Sequence, residues 1–75
     1  MTDDLLEARR ALGHAARRER VAFRLYCDAA DDARNGGDRR GERAALGRLL
    51  QARRVRREAE ETEQLAFRRA WPARA

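Results

Sequence analysis

Lysine, isoleucine and serine are missing from this chain of 75 residues, and cysteine, histidine, proline, tryptophan and tyrosine occur once each. Without serine there is no serine nucleophile. Cys27 has no second cysteine for an internal disulfide, no matched histidine to activate it, and no companions at metal-ligand spacing. No glycine-rich loop follows a strand pattern, so a phosphate-cradling fingerprint is lacking. The expectation is a protein that is not an enzyme and that needs no metal and no cofactor. The lone cysteine fits a reducing compartment, so a cytoplasmic location is expected. The opening Met-Thr-Asp-Asp has no basic segment followed by an apolar run, so no secretory signal is expected. No apolar stretch approaches the roughly 20 residues needed to cross a bilayer, so no membrane role is expected.

What the chain has in quantity is charge and alanine. Charged residues make up 41% of it, aromatics 5%, and the formal charge is +5. That composition is normal for a coiled coil or long helix and too polar for a compact globule. The charge is lopsided: residues 1–38 hold seven arginines and eight acids, residues 39–75 eleven and five. A basic second half invites an anionic partner.

Alanine recurs every seventh residue at 8, 15, 22 and 29, and again at 45, 52, 59 and 66. Between the two runs lies Asn35-Gly36-Gly37-Asp38, which holds the only adjacent glycines. Folding the chain back there sets the alanines level in pairs whose residue numbers all add to 74. Seven-residue spacing keeps each alanine on one face, and small side chains let two helices approach closely. The pattern predicts an all-α fold, an antiparallel two-helix hairpin seamed by alanine. The first helix is expected over about 3–34, the turn over 35–38, the second helix over about 39–70, and a frayed tail over 72–75. All of it reads as one domain.

Local signals agree. Thr2 is a candidate N-cap, with Asp3, Asp4 and Glu7 complementing the positive end of the helix dipole. Asn35 and Gly36 both suit the left-handed residue that closes a helix, Asp38 suits the next N-cap, and Pro72 ends the second helix. Only Gly13 interrupts the first helix. Its stripe reads Leu5, Leu12, Glu19, Tyr26 and Ala33 beside the alanines. The second helix's seam is expected to be Leu49, Val55, Thr62 and Ala70 beside its alanines, a line with no charge.

Register sorts the remainder into zones. Near the turn Phe23, Leu25 and Tyr26 come level with Leu46, Leu49 and Leu50. At the open end Leu5, Leu6 and Leu12 come level with Leu65, Phe67 and Trp71. Two helices cannot bury all of these, so Leu6, Phe23, Tyr26, Leu46, Leu50, Leu65, Phe67 and Trp71 are candidates for an oligomer interface. A chain this short struggles to build an adequate core, and a homodimer closing a four-helix bundle is the simplest remedy. A helix from another protein in the same groove is the alternative.

Between the apolar zones lies a waist of arginines, Arg17, Arg18, Arg20 and Arg24 level with Arg53, Arg54, Arg56 and Arg57, with Glu19 among them. Three anions could compensate it. One is an acidic protein surface, including the run Glu58-Ala-Glu-Glu-Thr-Glu63 of a second copy. Another is nucleic acid held through phosphates, against which stands the lack of a stacking aromatic beside Arg53–Arg57. The third is a small phosphorylated ligand, toward which Glu19 would accept from a base or orient an arginine. A solvated face with splayed arginines is the plainest reading. His14, level with Glu60, reads as an exposed histidine beside a carboxylate.

Asp28, Asp31 and Asp32 oppose the dipole at the end of the first helix, where Arg39, Arg40 and Arg43 across the turn are their expected relief. They also form a candidate acidic tip for a partner. The spacing Asp28-x-x-Asp31-x-Ala33 resembles the tip of the coiled-coil regulators that enter the secondary channel of bacterial RNA polymerase. The likeness covers six residues, and the zinc-binding cysteines of that family are absent, so no function is carried over from it.

Overall fold

The computed structural model describes residues 3–71. Helix α1 runs over Asp3–Arg34 and α2 over Arg39–Ala70, packed against each other as a hairpin. The rod measures 59 × 20 × 13 Å. Thr2 as a cap and the tail from Pro72 lie outside the described residues.

The turn is made by the glycines. The Gly37 amide donates to the Asp32 carbonyl at 2.7 Å and the Gly36 amide to the Ala33 carbonyl at 3.3 Å. This pair of bonds closes a helix when the residue after the last turn adopts the left-handed region. Gly36 does so, with φ 94°, and Asn35 does not. A Cβ at Gly37 would sit 2.7 Å from the Asp32 carbonyl oxygen, so the second glycine is required by close approach. Asp38 then caps α2, its carboxylate accepting from the Arg40 amide at 2.8 Å.

The alanine seam is the core. Ala8, Ala15, Ala22, Ala45 and Ala66 are buried together with Leu5 and Leu49, and these are all the buried hydrophobic residues among those described. Leu5, Ala8 and Ala66 form a cluster at the open end with Ala70 against it. Leu49 is buried nearer the turn, at the level where Tyr26 is half-buried.

One expectation fails in the seam. Arg56 and Glu63 are half-buried, whereas Val55 and Thr62 are exposed. The second helix thus turns the line Leu49, Arg56, Glu63 and Ala70 inward beside its alanines, and that line carries charge. The physical reason is pairing. Glu19 on α1 stands at the same level as Arg56, and its carboxylate accepts from the Arg56 guanidinium. Glu63 likewise reaches across to Arg9 at 3.5 Å. Val55 on the inner line would leave Glu19 half-buried without a counter-charge, which costs more than exposing one valine.

Candidate functional site

Residues seven apart share a face, so the seam divides the hairpin into two broad faces with different chemistry. On one, a shallow groove is lined by Glu19, Arg20, Phe23, Arg24, Cys27 and Arg53. Extending that face by sevens adds Leu6 from the line of Arg20 and Cys27, and Leu46 and Phe67 from the line of Arg53. Leu50, Arg57 and Trp71 lie four residues beyond Leu46, Arg53 and Phe67 on the margin of the same face. Leu6, Phe23, Leu46, Leu50, Phe67 and Trp71 are all exposed, Trp71 to 61%. This aromatic face therefore carries two apolar ends with Arg20, Arg53 and Arg57 between them.

The opposite face is aliphatic and mixed in charge. One groove on it is lined by Val21, Leu25, Arg18 and Arg48, a second by Arg18, Arg48, Gln51 and Val55, and a third by Asp4, Glu7, Ala11, Thr62, Leu65 and Arg69. Leu65 belongs here and not with Phe67 and Trp71.

Height was legible in the sequence; azimuth was not. The eight arginines of the waist encircle the rod instead of forming one patch. Arg20, Arg53 and Arg57 are on the aromatic face, Arg18 is on the aliphatic one, and Arg56 is in the seam. Arg17 and Arg24 border the two grooves, while Arg54 lies on the outer back of α2. Among the described residues, Arg18, Arg20, Arg24, Arg53, Arg54 and Arg57 have no carboxylate within ion-pair distance, and Arg17 instead meets Nδ1 of His14 at 3.1 Å.

Arg56 is compensated within the chain by Glu19 and by Glu60, one turn away. The hydrogen bond that Arg56 donates to Glu19 raises the Arg56 guanidinium above its ordinary value, partial burial opposes, and the fields of Glu19 and Glu60 add to the rise. The charged form of Arg56 is thus favoured by its two carboxylate partners, and Glu19 is engaged in orienting it. Glu60 and Glu63 are both held by arginines of their own chain, which leaves Glu58 and Glu61 of the acidic run for anything outside it.

The fold also supplies what the sequence around Arg53–Arg57 lacks. Phe23, half-exposed, stands in one groove with Arg20, Arg24 and Arg53. An aromatic beside that run was invisible to sequence because it comes from the other helix, 30 positions away.

At the tip, Asp31 pairs with Arg34 of its own helix at 3.1 Å. Asp32 is drawn into the turn, where its carbonyl caps the helix end. Among the described residues Arg39, Arg40 and Arg43 form no ion pair with the three aspartates, and Asp31 alone of the three has an ion-pair partner, Arg34 on α1 itself. Cys27 is half-buried and free. Among the described residues no group of three or more His, Cys, Asp or Glu side chains is placed to hold a metal ion, and no helix is long and apolar enough to cross a membrane. No protein-family model, no curated protein and no solved structure matches this chain.

Proposed function

We propose that the protein is a non-enzymatic interaction protein of regulatory type, which self-associates and takes an acidic, amphipathic helix of a partner across its aromatic face. The observation that carries this reading is the arrangement on that face: exposed Leu6, Phe67 and Trp71 at one end, exposed Phe23, Leu46 and Leu50 at the other, and between them Arg20, Arg53 and Arg57, which pair with no carboxylate among the described residues. Large exposed apolar patches mark contact surfaces. The two ends are separated by about 20 residues of helix, or about 30 Å. A partner helix that fits is apolar at both ends and acidic at its middle, because only that pattern covers the leucines and aromatics while neutralising the arginines.

A second reading, nucleic-acid binding through phosphates, is favoured by one observation, Phe23 beside Arg20, Arg24 and Arg53, since stacking platforms combine an aromatic with a cationic groove. It leaves the open-end cluster of Leu6, Phe67 and Trp71 unexplained. A small phosphorylated ligand has less support, because Glu19 is engaged by Arg56.

Fluorescence anisotropy separates the two. The probes are a labelled synthetic helix with glutamates in its middle third and leucines at both ends, a labelled duplex DNA and a labelled single-stranded RNA, at about 50 and 200 mM salt. The acidic helix is expected to bind at both salt concentrations, and Arg53→Gln with Arg57→Gln weakens it at least tenfold, two charge-assisted contacts of about 1 kcal/mol or more being lost. If the helix does not bind while a nucleic acid does, with affinity falling about a thousandfold between the two salts, the second reading replaces the first.

A further inference from the structure

The aliphatic face is where a second copy of this chain docks, we infer, side by side with both turns at the same end, so that α1 of each copy lies along α2 of the other. This deepens the self-association proposed above and rests on it.

The need for a cover comes from area. The chain exposes 6312 Å², whereas a compact monomer of 8.6 kDa exposes about 4,700 Å². The excess, about 1,600 Å², is twice what one partner contributes to an interface of ordinary size, about 800 Å². One docked copy thus removes about half of it and leaves the aromatic face for a different occupant.

Charge decides which face a second copy takes. On the aromatic face the waist sits at mid-length, so any two-fold pairing lays arginine on arginine. With turns together, Arg20 meets Arg53 and Arg57 of the second copy; with turns opposed, Arg53 meets Arg57. Like charges buried against each other in this way disfavour the pairing. The aliphatic face behaves differently. With turns opposed, α1 lies on α1 and brings Asp28 and Asp32 onto Asp4 and Glu7, which repel. With turns together, Glu7 falls opposite Arg69 of the second copy, Arg18 opposite Glu58 and Asp28 opposite Arg48, each within two residues of level. Between these three charge layers the same register stacks Ala11 on Leu65 and Val21 on Val55. Among the described residues Arg18 and Arg48 have no carboxylate partner, and all of Val21, Leu25, Val55 and Leu65 are exposed in the single hairpin. The two-fold repeats every pair, so six ion-pair contacts fix one register.

The test is a charge exchange between chains, read by sedimentation velocity at about 1–100 μM. The wild-type chain is expected to be a dimer of twice 8.6 kDa. Arg18→Glu alone sets Glu on Glu58 twice per dimer, and Glu58→Arg alone sets Arg on Arg18 twice; each is expected to raise the dimer dissociation constant about 100-fold or more. Mixing the two variants in equal amounts restores a dimer close to wild-type affinity, because each chain then meets the opposite charge in the other. Misfolded chains do not rescue one another, so the mixture also controls for folding. A wild-type monomer at the highest concentration overturns both this inference and the self-association it rests on. A wild-type dimer left intact by either variant, or variants that weaken it without rescue on mixing, overturns the face and register alone. The anisotropy titrations stand independently of all three outcomes.

Discussion

Gly36 closes the first helix in a backbone conformation that L side chains resist. Its φ of 94° is the left-handed region, where any L side chain costs about 1–2 kcal/mol. Gly36→Ala is therefore expected to lower stability by about that amount in urea unfolding followed by circular dichroism. Gly47 is the contrast: it lies within α2, and a Cβ there meets nothing within 4 Å. Gly47→Ala removes chain entropy from the unfolded state and is expected to stabilise by about 0.5–1 kcal/mol in the same measurement. Only the first glycine of the pair 36–37 takes the left-handed conformation; the second is needed because Asp32 crowds it. Sequence identified the pair, and backbone geometry assigned their separate tasks. Leu5 and Leu49 are the two large side chains fully buried among the described residues, so Leu5→Ala and Leu49→Ala are each expected to cost about 2–5 kcal/mol. Leu50→Ala, one position along and 55% exposed, should leave the hairpin's helicity unchanged and weaken only what covers the aromatic face.

Along the helices, the central layer of the seam is an ion pair and not an apolar contact. A charged pair at an otherwise apolar position specifies register more than it adds stability. Replacing both partners, Glu19→Leu with Arg56→Leu, is expected to raise the melting temperature and to yield more than one species in sedimentation, as slipped registers become comparable in energy. Glu19→Leu alone leaves Arg56 half-buried beside leucine with only Glu60 as counter-charge, and the melting temperature is expected to fall. A rise in both cases, with a single species throughout, would show that the alanines suffice to set register. The surface pairs need no such role. Asp31 and Arg34 are both well exposed, and a pair of that kind is worth about 0–1 kcal/mol.

For the molecule as a whole, shape is the decisive quantity. A radius of gyration of 17.0 Å compares with about 11 Å for a compact domain of this length. The hairpin is a rod whose surface far exceeds its core, and the association proposed above would cover part of it. Side-by-side docking with turns together keeps the length near the 59 Å of one hairpin, so small-angle scattering of the dimer is expected to give a maximum dimension close to that value. End-to-end association would nearly double it and would exclude the arrangement inferred above.

Sequence alone determined the hairpin, because that fold is a matter of period and punctuation. Alanines at sevens mark one face of each helix, Gly36 and Gly37 mark where the chain reverses, and the shared sum of the paired alanines fixes which residues are level. These are local or one-dimensional facts, and periodicity records them. Tertiary structure decided the azimuth. Val55 and Arg56 are neighbours in sequence and both lie beside the alanine line, so their order gives no sign of which one turns inward. Glu19, 37 positions away, settles that by pairing with Arg56. The same packing brings Phe23 to Arg53 and spreads eight arginines of one height around the girth of the rod. Height along a helix follows from counting residues, but which side a charge faces depends on the counter-charge the other helix offers.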